Sequence, residues 1–429
     1  METYASKQDY VEALEARARL PEGFSCATAA IEFAAREKRA EQAYAMNLSL
    51  IAASESSRLF GAVFTTNAFP GAPVLIGCEA LTLPAIRGFI INNRIANVGV
   101  ECGETDGRRL MQGLAELTGG AVFLPASTGI IGWRLPTPEM LEALPGLVDS
   151  LEEGSVLPVA RAIMTTDAYP KVRSVPCGAG RIVGVAKGAG MIEPRLATML
   201  AFLLTDVGVT RRNLRRRLAH CVGRTFNRIS VDGDQSTSDA VYLLSSGKKP
   251  PVSAAVFEEA LMRVCAGLAE DVVRNGEGTT HVIRVTVRGA SGKRTAEGAA
   301  RAVVNSPLVK TAIFGDDPNV GRILGALGDY FGSRGGRLDA RSLIVVIGGE
   351  AVFGAGRFEL DADKAARLSR YLKERRLESC RQGYPAHDRT VDITIDLGRG
   401  RGGRSRPQAV MLGSDLSYDY VRENADYTS

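Results

Sequence analysis

The sequence predicts an α/β fold, and three observations carry that expectation. Apolar residues alternate along the chain between the two-residue period of strands and the 3.6-residue period of helices. The two kinds of segment are interleaved rather than grouped, which is the pattern of sheets covered by helices. Glycine is abundant, 47 residues of 429, and gathers at the ends of these segments, where the chain must turn. No repeat of fixed period is present.

In chain order, helical spacing covers Tyr10–Arg19, Arg108–Leu117, Pro138–Leu144, Glu152–Met164, Arg211–Val222, Ala254–Asn275, Thr295–Val304 and Asp363–Lys373. Strands are expected at Ile51–Ala53, Ala62–Thr65, Phe89–Asn92, Ala121–Leu124, Val282–Val287, Leu308–Phe314, Leu343–Ile347 and Val391–Leu397. The arginines of 211–217 fall on a helix whose other face carries Leu214, Leu218 and Val222, so they read as a solvated face. The glycine-rich stretch Gly178–Gly190 reads as tight turns around something closely packed. It is not a phosphate-binding Walker loop, because Lys187 is followed by Gly188 instead of Ser or Thr. A second arginine cluster, Arg399–Arg406, is interleaved with glycine and reads as a flexible loop between two strands.

Composition removes several function classes. No run of eighteen apolar residues exists, so no membrane span is expected, and the acidic residues near Met1 argue against a targeting segment. Seven cysteines (26, 78, 102, 177, 221, 265 and 380) form no CxxC pair, which suits reduced thiols in a cytoplasmic protein rather than a zinc knuckle or a disulfide framework. Only three histidines exist, His220, His281 and His387, which disfavours a histidine metal site or a Ser/His/Asp triad; no metal is expected. Net charge is +5, and no aromatics interleave with the arginine clusters, so no nucleic-acid partner is expected.

The segment Gly184–Leu200, GVAKGAGMIEPRLATML, is specific. It resembles the processing motif of the ornithine acetyltransferase family, in which the chain cuts itself before a threonine inside a KGxGMIxPxxATML pattern. The resemblance implies cleavage between Ala197 and Thr198, an α chain of residues 1–197, a β chain of residues 198–429, and Thr198 as nucleophile. Chemistry agrees with a threonine here. A hydroxyl is a weak nucleophile until a base removes its proton, and self-cleavage frees an α-amine on the same residue that can be that base. One residue then supplies nucleophile and base, which suits a histidine-poor chain.

Further segments extend the resemblance from about residue 50 to the end. Ser127-Thr128-Gly129-Ile130-Ile131-Gly132 is similar to the family's STGxxG turn, which implies that Thr128 and Gly129 stabilise the oxyanion of acyl transfer. Thr165-Thr166-Asp167 resembles its TTD segment, and Thr165 takes the substrate-binding position. Lys187 stands eleven residues before Thr198, as the family's substrate-binding lysine does. Glu277, in Gly276-Glu277-Gly278-Thr279-Thr280, and Asn424 and Ser429, in the NADYTS ending, take the remaining binding positions. The pattern is broken at Asn92–Gly99, at His281 where lysine is usual, and at Val320 where tryptophan is usual. These departures bear on the identity of the acceptor.

The resemblance implies a layered α/β/α sandwich of the autoprocessing type shared with self-cleaving aminopeptidases. It implies acetyl transfer from N2-acetylornithine to L-glutamate in arginine biosynthesis, in the cytoplasm, with no cofactor. Acetyl-CoA stays open as a second donor, and the usual assembly is an α2β2 heterotetramer. Two other readings stay open at this point: a hydrolase using the same self-cut nucleophile with water or a peptide as acceptor, and a binding scaffold using the arginine clusters.

Overall fold

The computed structural model describes residues 2–38, 42–193, 199–378, 382–398 and 407–426. Ala197, Thr198 and Ser429 therefore lie outside the described residues, as does the Arg399–Arg406 loop. The chain divides into two compact units. The larger holds Gln8–Asn227 with Asp234–Val272; the smaller holds Met1–Lys7, Arg228–Gly233 and Val273–Thr428.

The larger unit begins with α1 (Lys7–Arg17), β1 (Phe24–Ala34), β2 (Ala43–Ser57), β3 (Phe60–Phe64), α2 (Ala72–Ala80), β4 (Ile86–Asn92), α3 (Gly103–Leu117) and β5 (Phe123–Ser127). It continues with α4 (Thr137–Asp149), α5 (Leu157–Ala162), β6 (Lys171–Cys177), β7 (Gly180–Lys187), β8 (Leu200–Val207) and α6 (Arg211–Arg224). After β9 (Ile229–Ser230), a strand of the smaller unit, come β10 (Ala240–Lys249) and α7 (Ala254–Arg274).

These strands make two sheets, ordered β1-β2-β4-β5 and β3-β10-β8-β7-β6. β8 is buried at every position, Thr205 and Asp206 included, as suits a central strand covered on both faces. Its side chains alternate between two covered faces. On one, Phe202 stacks on Tyr242 of β10 at 5.3 Å between ring centroids, and Phe89 of β4 packs on both at 5.3 and 5.0 Å. This aromatic cluster joins the two sheets. On the other face, Leu203 packs beside Gly184, where an added Cβ would come 2.7–2.8 Å from Leu203, Leu268 and Val264. The close packing expected around this glycine stretch is there, with α7 against it, but most of the stretch, Gly180–Lys187, is strand β7 and not tight turns. The outer face of the first sheet is covered by α3 and α4 through Leu110, Leu114, Met140, Leu144 and Leu147. The layered α/β arrangement holds, with the β layer doubled between helices.

The smaller unit continues with β11 (Val282–Arg288), α8 (Lys293–Asn305), α9 (Pro307–Phe314), α10 (Val320–Gly332), β12 (Ile344–Ile347), β13 (Glu350–Gly354) and β14 (Arg357–Phe358). It ends with α11 (Ala362–Lys373), β15 (Val391–Asp396), β16 (Ala409–Ser414) and α12 (Tyr418–Asp426). Among the described residues its sheet runs β14-β13-β12-β15-β11-β16-β9, and Val303, Ile323, Leu327, Leu368 and Leu372 bury one face of it.

Two expected elements differ. Leu308–Phe314 is not a strand but helix α9, because Ser306 caps it, accepting from the Val309 amide at 3.4 Å, and Pro307 occupies its first turn. The helix expected over Glu152–Met164 shrinks to α5. Glu152 instead forms a β-bridge with Cys26, and Pro158 marks the helix start. No described helix is long and apolar enough to cross a membrane.

Candidate active site

In the larger unit, β5 delivers Ser127 and Thr128 to a buried turn. The Thr128 amide donates to the Asn92 carbonyl at 3.1 Å and the Ile130 amide to the Arg94 carbonyl at 2.8 Å, so the turn lies along residues 92–96. The Ser127 hydroxyl donates to the Asn92 side chain at 2.7 Å. Gly129 has φ +127°, and a Cβ there would sit 2.2 Å from the Arg94 carbonyl carbon. Only glycine fits. The departing segment Asn92–Gly99 thus serves as the bed of this turn.

Lys187, the last residue of β7, is buried and donates to the Thr128 hydroxyl oxygen at 2.8 Å. Next to it, Asp167 is buried and accepts from Lys171, from the Gly188 amide at 2.8 Å and from the Thr165 amide at 3.1 Å. Burial would raise the Asp167 carboxyl, but the charges of Lys171 and Lys187 and the Gly188 bond overcome it and bring the pKa to about 2. Thr165 is exposed, its backbone fixed by Asp167, while Asn93 donates to the carbonyls of Ala162 and Met164 at 3.0 and 3.1 Å. Of the residues expected at the site, Thr128, Gly129, Lys187 and Thr165 are therefore brought together in one unit. Asp167, Lys171 and Asp239 join them without having been assigned a role from sequence. Asp167 stood inside the quoted TTD segment, but its burial and bonding are not legible there. Ala197 and Thr198 lie outside the described residues, between β7 and β8 in sequence.

In the smaller unit, Asn424 of α12 donates to Glu277 at 2.9 Å, so these two expected positions meet. α12 starts tightly against Gly278, which has φ +61° and where a Cβ would fall 2.2 Å from the Tyr420 nitrogen. Ser417 donates to the Gly278 carbonyl at 2.6 Å and accepts from the Tyr420 amide, holding the helix start. Glu423 is pushed up by burial and by the charges of Glu277 and Asp419. His281, the departure from lysine, is fully buried with Nδ1 2.9 Å from Asp415 and Nε2 3.2 Å from the Leu372 carbonyl. Burial works to raise Asp415, and its hydrogen bonds and ion pair with His281 bring it below the usual carboxylate range. His281 is thus a core partner of a carboxylate.

The ArgJ family pattern matches residues 30–429. The chain is 39% identical to the arginine biosynthesis bifunctional protein ArgJ of Nitratidesulfovibrio vulgaris, over 95% of this chain and 99% of that one. It is 37% identical to the glutamate N-acetyltransferase of Methanopyrus kandleri, over 87% and 94% of the two chains. Among solved structures, it is similar to an arginine biosynthesis bifunctional protein of Bacillus halodurans, with 33% identity and a TM-score of 0.44 across 53% of this chain and 98% of that chain.

Proposed function

The chain belongs to the ArgJ family, and from that premise we propose that it moves the acetyl group of N2-acetylornithine to L-glutamate through an ester on Thr198. The observation that carries the reading is the family match over residues 30–429, with relatives named for arginine biosynthesis and glutamate N-acetylation.

The chain first cuts itself. The Thr198 hydroxyl attacks the Ala197 carbonyl, the acyl group moves from nitrogen to oxygen, and water hydrolyses the ester, leaving a free α-amine of unperturbed pKa about 7.7–8.0. In transfer, that amine takes the hydroxyl proton as the oxygen attacks the acetyl carbonyl, then returns it to the departing ornithine nitrogen. The amine of L-glutamate attacks the acetyl ester and the same steps run in reverse.

Thr128 and Gly129 stabilise the oxyanion of each tetrahedral step. The bond from Lys187 supports that role, since a hydroxyl whose oxygen accepts from an ammonium keeps its own proton to donate. Thr165, Lys187, Glu277, Asn424 and Ser429 bind the amino-acid substrates, Lys187 and Glu277 offering the opposite charges that a carboxylate and an ammonium need. Acetyl-CoA is a second donor to assay, and α2β2 is the assembly to look for by native mass.

Intact mass and product analysis test the reading. N2-acetylornithine alone should make the β chain heavier by one acetyl group, and L-glutamate should then release N-acetylglutamate. Acetate formed at one rate with or without glutamate, and no N-acetylglutamate, would make the chain a hydrolase instead.

A further inference from the structure

Asp239 immediately precedes β10 and is almost wholly buried. Its place is fixed from both sides. Its carbonyl accepts from the Thr65 amide at 3.0 Å, and the turn before it is held by Gly71 donating to the Thr237 carbonyl at 2.8 Å. One carboxyl oxygen, Oδ1, accepts from the Met199 amide at 2.5 Å. The next residue, Ala240, donates its amide to the Met199 carbonyl at 3.1 Å. Both backbone polar groups of Met199 are thereby taken by residues 239 and 240, and Met199 is the chain neighbour of Thr198. The second carboxyl oxygen, Oδ2, is buried with no hydrogen-bond partner among the described residues.

We propose that Asp239 is the positioning residue for Thr198, its carboxyl gripping the amide of the next residue, Met199. This rests on Thr198 being the nucleophile. Burial pushes the carboxyl well above its usual range, opposed by the Met199 bond and the Lys187 charge. The Ser236–Ser238 turn, β3 and Met199 present no ionisable side chain, so Lys187 on β7 is the charge acting on it among the described residues. An unpaired carboxylate oxygen would be strongly disfavoured there, whereas a carboxylic acid is tolerated. The neutral form also suits the chemistry. A negative charge one peptide away from the Thr198 amine would hold that amine as ammonium and remove the general base.

The test compares Asp239→Asn, which keeps an acceptor for Met199 and cannot ionise, with Asp239→Leu, which has no acceptor. Self-cleavage is read by intact mass, acetyl transfer by kcat over a range of pH, and folding by melting. Asp239→Asn should cut itself and turn over within about threefold of wild type, while Asp239→Leu loses at least about 10²-fold in both. Wild-type kcat should fall as rising pH ionises Asp239, and that alkaline loss should be absent in Asp239→Asn. Loss in Asp239→Asn as deep as in Asp239→Leu would overturn the proposal, as would identical pH profiles for wild type and Asp239→Asn. If the Leu variant does not fold, the Asn variant and its pH profile still decide. Failure of the nucleophile reading looks different, since Thr198→Ala would then still be cut.

Discussion

The ammonium of Lys187 lies 2.8 Å from the hydroxyl oxygen of Thr128, and both side chains are buried. Fifty-nine positions separate them in sequence. The lysine therefore stands behind the hydroxyl, fixing the direction in which Thr128 can donate. Thr128→Ala removes that donor and should lower kcat for acetyl transfer by about 10²–10³. Thr128→Ser keeps the hydroxyl and should keep most of the rate. Lys187→Met should also lower kcat, since the hydroxyl is no longer oriented. Equal rates for Thr128→Ala and wild type would remove Thr128 from the chemistry.

Asp167 and Lys171 form a buried ion pair beneath this pair, and its pH dependence has a definite sign. The folded carboxyl titrates at about 2 against 3.8 for the free group. A depressed pKa contributes stability that is present above the unfolded value and lost as pH falls through the folded one. The shift corresponds to about 2 kcal/mol, complete near pH 5 and gone near pH 1. Asp167→Asn removes the carboxylate charge that compensates the buried Lys171 ammonium and should destabilise the fold by about 3–5 kcal/mol, measured by denaturant unfolding. Adding Lys171→Met should recover much of that loss; no recovery would mean the pair is not the source.

Gly129 and Gly119 separate two effects that a glycine substitution can mix. Both have positive φ, +127° and +68°, but nothing lies within 4 Å of a Cβ at Gly119, whereas at Gly129 it would meet the Arg94 backbone. Gly119→Ala should cost only backbone strain, about 1–2 kcal/mol, with kcat unchanged. Gly129→Ala should push the turn off residues 92–96 and reduce kcat by about 10² or more through the displaced oxyanion donors. Comparable kcat in the two variants would show that the position of this turn does not matter to turnover.

How much of this was legible in the sequence differs from residue to residue. The apolar spacing of Leu214, Leu218 and Val222 announced α6, and all three are buried. The run Leu308–Phe314 reads as a strand because a short apolar segment has no period that excludes one; the helix is signalled only by the capping Ser306 and by Pro307 just before it. Thr128 and Lys187 came from the motif resemblance, but their contact could not, because tertiary pairing has no local signature. Asp167 is visible as a letter in the quoted TTD segment, and Asp239 is one of many acidic residues in the sequence. Their burial, which makes one strongly acidic and the other hard to ionise, exists only in the folded chain.

The strand order makes a prediction about the cut chain. The proposed cleavage before Thr198 would divide the second sheet of the larger unit, leaving β3, β6 and β7 in the α chain and β8 and β10 in the β chain. Because the order is β3-β10-β8-β7-β6, the two β-chain strands lie between α-chain strands on both sides. β7 pairs with β8 from Lys187↔Leu200 to Ile182↔Thr205, and β3 pairs with β10 from Phe64↔Ala240 to Phe60↔Leu244. Phe89, from the α chain, packs on Phe202 and Tyr242 from the β chain. Arg173 of β6 also holds Asp271 of α7 through two hydrogen bonds of 2.6–2.7 Å. Separating the products would expose this core and two rows of strand hydrogen bonds, with no unbroken peptide to restore them. The cut chains should therefore elute together at a one-to-one ratio in native buffer, part only in denaturant, and melt in one transition. Thr198→Ala, uncut, should melt within a few degrees of the cut protein, since the same contacts hold both. Fragments that separate in native buffer would show that the sheet does not survive the cut as a single unit.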